Sequence, residues 1–476
     1  MDWYKVVVSI KCRTVELDLT QPHNLSNING SLGSGLFISL NYKPEIIDDK
    51  QIYTPIENLT SEYYVLTCYH VIQNALAIEI IYNQDYKFKA SVYKIFPEDD
   101  LAVLKFSLDE SNYKKQQDIL KVTLLKFYTD ININGYDVSS IGFPLKNPSI
   151  ITTKGIISGF RNSMIQIDAA LNNGNSGGPL TYTDTRTEEV YVIGVNTSKL
   201  SGIAENTGFS IPIKKFIQIY NYGIKLDETI IHRPYLDFEY QSIEQKELRD
   251  IYKITEDGTD LYINPPIGVI ITEIYDDAYY VKDGTLLKDD VLVSINDCNV
   301  MNGFINLPNI FVEKIKLKEL GSWFIPSDEL DILLVRLIDG IYKKITKKLV
   351  FKNQTLNYRP FYYPLIRSDK FFIENNCLVI SMFTSNHVDN LTELNYTPKQ
   401  TIDAIHRILH YKDKFTVYLC GLHSDIYTNK KYIDYPINDI ITHINDEELS
   451  SETVFFKYST EPIKSFVTIN NNKFFI

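Results

Sequence analysis

Residues 168–180 read DAALNNGNSGGPL, centred on Gly174-Asn175-Ser176-Gly177-Gly178-Pro179. A serine set between glycines suits nucleophilic catalysis for a physical reason. The hydroxyl has to stand on a sharply turned, exposed backbone, and the neighbouring N–H groups have to face the carbonyl under attack. Gly174 is free to adopt the positive φ of such a turn, and Gly177 and Gly178 are expected to leave room for substrate. Strand-like runs flank the turn at Met164–Ile167 and Val190–Val195.

A nucleophilic serine needs a base, and the base needs an orienting acid. Before residue 230 the chain has two histidines, His23 and His70. His23 lies in a polar loop beside Pro22, whereas His70 closes the apolar run Val65-Leu66-Thr67-Cys68-Tyr69. For the acid, Glu98-Asp99-Asp100 leads straight into Leu101-Ala102-Val103-Leu104. Asp100 abuts the strand, with Asp99 and Glu98 as alternatives.

The order His70, Asp100, Ser176 is that of the chymotrypsin-fold proteases. VLTCYHVI, DDLAVLKF, IGFP, GIISG, IQIDAALNNGNSGGPL, VIGVNTS and GFSIP follow one another along the chain. Together these motifs resemble the protease domain of the HtrA/Deg family, serine proteases with C-terminal PDZ domains. The resemblance covers about residues 5–225 and continues more weakly beyond. It implies His70 as general base, Asp100 as its orienter and Ser176 as nucleophile. The N–H groups of Gly174 and Ser176 would form the oxyanion hole. Ala170 and Lys199 would line the S1 pocket, and an alanine at its base implies a preference for small or medium aliphatic P1 residues. Asn175 stands where digestive proteases carry an aspartate, so activation by a newly cut N-terminus is not expected.

The fold class implied is all-β, a double β-barrel (chymotrypsin-like) over residues 1–225, followed by two PDZ-like α+β domains at 230–355 and 356–476. Arg233-Pro234-Tyr235-Leu236-Asp237-Phe238 resembles the carboxylate-binding loop of a PDZ domain, with Asp237 in place of the usual glycine. Pro308–Leu320 is the expected PDZ helix. The octet Asp290–Asp297 (DVLVSIND) echoes Asp439–Asp446 (DIITHIND), which suggests the second domain. Residues 41–62, with two prolines, read as an exposed loop. The loop Phe160–Ser163 looks too short to relay signals, so removal of residues 230–476 is expected to alter peptide hydrolysis only a few-fold.

Composition bounds the alternatives. The chain has 476 residues, 44% hydrophobic and 23% charged, with a formal net charge of −12. That charge argues against nucleic-acid binding, which needs a basic footprint. No run approaches the roughly 18–20 apolar residues of a membrane-spanning helix. The five cysteines, Cys12, Cys68, Cys298, Cys377 and Cys420, are scattered and odd in number. With no apolar run near the N-terminus long enough for a signal peptide, they suggest a cytoplasmic protein, or a virion one if virally encoded. His406 and His410 lie four apart, but Arg407 replaces the glutamate a zinc protease needs there. No metal and no cofactor is expected. Protein substrates are the expected partners. The HtrA/Deg resemblance implies that Trp3 and Tyr4 pack between subunits of a homotrimer, with packing on their own barrel as the alternative. The rival reading is a non-enzymatic chaperone or peptide-binding scaffold.

Overall fold

In a computed structural model, the described residues are 1–17, 25–47, 50–56, 62–108, 120–130, 133–144, 148–199, 207–234, 236, 238–243, 268–274, 284–308, 310, 314–351, 371–374, 378–382, 417–422, 440–458, 460–468 and 471–475. The chain divides into two compact units. One comprises Met1–Cys12, Ser31–Ile72 and Ile78–Gln354, and the other Arg13–Gly30, Gln73–Ala77 and Thr355–Ile476.

Six strands close into a barrel in the order Val7–Leu17, Leu25–Ile38, Glu62–Cys68, Leu101–Ser107, Tyr86–Phe96 and Ala75–Tyr82. Leu101–Ser107 is buried at four consecutive positions because it sits centrally, pairing on both sides. The interior is aromatic, with Phe88 stacked on Phe106 at 4.9 Å and Phe37 edge-on to Tyr82 at 6.1 Å.

The second sheet has nine strands, running from Pro179–Thr183 to Asn41–Ile47. A further pairing of Pro179–Thr183 with Val190–Lys199 closes six of them on themselves as the second barrel. Residues 41–56, read as a loop from sequence, instead form the hairpin Asn41–Ile47 and Lys50–Ile56. It extends this sheet through Ile52↔Tyr128 and Tyr53↔Phe127. Its prolines are tolerated by position: Pro44 lies on the edge strand, and Pro55 lies beyond the residues that pair inward. Tyr42 stacks on Phe127 at 4.3 Å and anchors the hairpin.

Pro212 ends the strand Gly208–Pro212 and caps the helix Ile213–Gly223. Phe216 there meets Phe96 of the first barrel and Phe127 of the nine-stranded sheet, at 6.3 and 6.0 Å.

Two further sheets follow, of eight and seven strands. The octet echo in the sequence has a counterpart in both. Val291–Ile295 turns through Asn296 (φ 47) and Asp297 (φ 59) into Cys298–Met301. Ile440–Ile444 turns through Asn445 (φ 48) and Asp446 (φ 66) into Glu447–Glu448. Both are two-residue hairpins with positive φ at both central positions, which Asn and Asp tolerate. On the other edge each strand carries a register shift at the matching place, Leu292/Ser294 and Ile441/His443. Each turn asparagine bonds that neighbouring strand the same way: Asn296 Oδ1 accepts from Asp331 N–H, and Asn445 Oδ1 from Ser465 N–H.

The helix expected over Pro308–Leu320 differs. Ile315–Lys316 is a short strand, and Leu317–Trp323 is a 3₁₀ helix. The alternation of Ile315 and Leu317 with Lys316 and Lys318 buries the apolar pair and exposes both lysines, a strand-like pattern at the point where a helix was expected. His406 and His410 lie outside the described residues. Among the described residues, no helix is long and apolar enough to cross a membrane.

Candidate active site

Asp100 caps the 3₁₀ turn Pro97–Asp99 in the left-handed region, at φ 52. That turn aims three acceptors at the start of the short helix Tyr69–Ile72. The Asp100 carbonyl accepts from Tyr69 N–H at 2.9 Å. Its Oδ1 accepts from His70 N–H at 2.9 Å, and its Oδ2 lies 2.7 Å from His70 Nδ1. An ionised carboxylate accepts only, so the pairing holds the proton on Nδ1 and leaves Nε2 as the basic nitrogen. Thr197 Oγ1 donates to the same Oδ2 at 2.7 Å.

Thr197 lies in the register shift between Asn196 and Ser198 of strand Val190–Lys199. A bulge residue leaves the ladder, so its groups are re-aimed. Its hydroxyl reaches Asp100, and its carbonyl accepts the Ser176 hydroxyl at 2.6 Å. Ser176, Thr197, Asp100 and His70 are thus one hydrogen-bonded chain. Among the described residues, no hydrogen bond joins Ser176 Oγ to His70. The hydroxyl has to leave Thr197 O to make one, and such catalytic hydrogen bonds often tighten only once substrate binds.

The nucleophile turn is fixed from behind. Gly174 adopts φ +103, and a Cβ there would meet the Phe143 carbonyl at 2.4 Å. Ser34, fully buried, donates from its hydroxyl to Gly174 O at 2.7 Å and from its N–H to Ser176 O at 2.8 Å. Asn196, also fully buried, accepts from Gly177 N–H and donates to Pro179 O. The N–H groups of Asn175, Gly177 and Gly178 all donate to carbonyls. Those of Gly174 and Ser176 find no partner among the described residues. Main-chain donors left in this state want an oxygen.

Gly177 does not make room for substrate. A Cβ there would strike Ser34 O and Thr67 Oγ1, both at 2.2 Å, so the space belongs to the first barrel. Ala170 is exposed, its carbonyl accepting from Thr153 Oγ1. Lys199 pairs with Gly208 at the end of its strand, and its side chain lies outside the described residues. So do Tyr235 and Asp237. Leu236 is half-buried, and Phe238 is buried at the start of the strand Phe238–Ser242.

Beside the His70–Asp100 pair opens a cleft of about 520 Å³, with Ser163, Met164, Thr197 and Ile211 on its walls. Cys68, fully buried next to it, donates to Asn196 O, and burial pushes its thiol well above the usual range. Cys68, His70 and Asp100 are a set within reach of one metal ion. Each is already held by the hydrogen bonds above.

Sequence reasoning passed over Ser34, Asn196 and Thr197. The one signal available was a run of polar residues, Asn196-Thr197-Ser198, inside an otherwise apolar strand.

Residues 57–199 match the trypsin-like peptidase domain family. The chain is 28% identical over 250 residues to a probable periplasmic serine endoprotease, DegP-like, of Chlamydia muridarum, covering 50% of this chain and 44% of that one. It is 28% identical over 261 residues to Protease Do-like 1, chloroplastic, of Arabidopsis thaliana, covering 50% and 53%. The chain is a relative of the HtrA/Deg serine proteases. It spans about half the length of these curated HtrA/Deg relatives. A solved structure, HtrA-type protease AlgW with tripeptide, aligns at 23% identity with a TM-score of 0.48, over 72% of this chain and 92% of that one.

The HtrA/Deg relatives correct the expected location. They are named periplasmic and chloroplastic, so neither a cytoplasmic nor a virion protein is supported. Cysteine count misled here. Cys12 and Cys68 are free and buried in a barrel whose own core suffices. A core of this size needs no disulfide in any compartment.

Proposed function

We propose that the chain is a serine endopeptidase acting on protein substrates, with Ser176 as nucleophile, His70 as general base and Asp100 as orienting acid. The observation that carries this reading is the hydrogen-bonded chain from Ser176 through Thr197 and Asp100 to His70, beside two unpaired N–H groups. When substrate arrives, Ser176 Oγ leaves Thr197 O and turns to His70 Nε2. His70 takes its proton as Oγ attacks the peptide carbonyl. The N–H groups of Gly174 and Ser176 hold the oxyanion, the kind of preorganised donor pair that contributes most to such reactions. His70 then protonates the leaving amine, and water releases the acyl-enzyme by the same route.

The three-part division at 1–225, 230–355 and 356–476 belongs to this proposal, as does the reading of the last two parts as PDZ-like. The matched hairpins at Asn296-Asp297 and Asn445-Asp446 support a common origin for them. A homotrimer is a further proposal that rests on Trp3 alone, because the Tyr4 hydroxyl accepts from Gln84 Nε2 at 2.7 Å within the chain.

The test is digestion of an unfolded protein, with cleavage sites read by mass spectrometry. With the uncharged Ala170 at the pocket base, cuts should follow Val, Ile, Ala or Leu. Cutting chiefly after Lys or Arg would refute the pocket assignment, and cutting after Asp or Glu would put Lys199 in the pocket. No cutting at all would refute the function.

A further inference from the structure

Glu98, Asp99 and Asp100 are three consecutive acids, and each has its own basic partner. Glu98 Oε1 lies 2.7 Å from His232 Nδ1, Asp99 Oδ2 accepts from Arg233 Nε at 2.6 Å, and Asp100 Oδ2 lies 2.7 Å from His70 Nδ1. The first two partners are adjacent in the chain, 134 residues after the acids they hold and just past the helix that follows the last barrel strand. From sequence, Arg233 was the first residue of a carboxylate-binding loop. It is instead 2% exposed and spends every donor group inward. Besides Asp99, its Nη1 donates to Phe324 O at 3.0 Å and its Nη2 to Lys215 O at 2.7 Å. Lys215, also buried, approaches Asp99 Oδ1 at 3.6 Å and donates to Ser322 Oγ at 3.0 Å.

This arrangement has a consequence for Asp100. Its backbone sits in a region L-residues avoid, and such a conformation persists only where the surroundings over-determine it. Leu101, on one side, is pinned by pairing with both Cys68 and Phe96. Glu98 and Asp99, on the other side, are pinned by His232 and Arg233. With both flanks fixed, Asp100 keeps the one geometry that meets His70 twice and Thr197 once.

We propose that His232 and Arg233 form a clamp that positions the catalytic acid, Arg233 being the principal positioning residue. The proposal rests on Asp100 serving His70 as described above. It also reverses the expectation that the chain beyond residue 230 matters only a few-fold, since truncation there removes the clamp and Phe324 with it.

The test uses the full chain carrying Arg233→Met, Arg233→Lys, and the double variant Asp99→Asn/Arg233→Met. A misplaced catalytic group typically loses on the order of a hundredfold. Arg233→Met should therefore lower kcat by about that factor while KM stays within about twofold. Arg233→Lys should recover part of the loss, because one ammonium reaches Asp99 but cannot fork to both carbonyls. The low-field proton resonance of the His70–Asp100 hydrogen bond, recorded in a Ser176→Ala background, should broaden or vanish in Arg233→Met. Arg233→Met leaves Asp99 buried without its main partner. If that variant fails to fold, the double variant, which removes the Asp99–Arg233 ion pair together and leaves Lys215 its hydrogen bond to Ser322 Oγ, decides instead. A folded variant with wild-type kcat and an unchanged His70 resonance overturns the clamp. Turnover that survives Ser176→Ala overturns the serine mechanism alone, because the resonance still reads the clamp.

Discussion

Ser176→Ala is expected to abolish proteolysis, with a fall in kcat on the order of 10⁶-fold, since the members of such a triad act as a unit. The loss follows from the chemistry, because no other hydroxyl stands at this turn between the two unpaired N–H groups. The fold should survive. The serine side chain is half-buried and makes one hydrogen bond, to Thr197 O, so its removal costs about 1 kcal/mol. The turn itself is held by Ser34 and Asn196. The check is casein digestion beside a thermal melt. Near-normal digestion by the variant contradicts the mechanism.

Asp100→Asn is expected to cost about 10⁴-fold in kcat with little change in the fold. Three donors converge on this carboxylate: His70 N–H on Oδ1, and His70 Nδ1 and the Thr197 hydroxyl at Oδ2. An amide offers one accepting oxygen. If that oxygen stays with the His70 N–H, the NH₂ faces His70 Nδ1 and makes it the acceptor. The ring proton then moves to Nε2, where it blocks uptake of the Ser176 proton. Asp99→Asn leaves all three of these bonds in place, so its loss should be smaller and should arise through the Arg233 clamp. Peptide kinetics on both variants check this. A crippled Asp99→Asn beside an active Asp100→Asn means that the acid is assigned to the wrong residue.

What could be read from sequence was local. The glycines around Ser176, the apolar run into His70 and the acids entering Leu101 each carry their geometry in a few neighbouring residues. The octet echo was legible for the same reason, because an Asn-Asp turn dictates its own hairpin. What was missed depends on register or on distant pairing. Thr197 acts because of a bulge, and the polar run Asn196-Thr197-Ser198 does not by itself say that the strand shifts register there. Pro44 and Pro55 suggested a loop, yet edge placement makes both compatible with a strand. Glu98 and Asp99 were candidates for the acid because their partners, His232 and Arg233, lie more than a hundred residues away. From sequence, Arg233 was only the first residue of a loop motif, and nothing local marked it as a buried partner of Asp99.

The central claim is that Ser176 is an activated nucleophile, and a fluorophosphonate probe addresses it directly. Attack by Ser176 Oγ on phosphorus expels fluoride and leaves a phosphonyl ester of stable, known mass. Peptide mapping of the intact chain should locate that ester on Ser176, and His70→Ala should abolish it. An unlabelled Ser176 in folded protein, or labelling that persists without His70, would contradict the account.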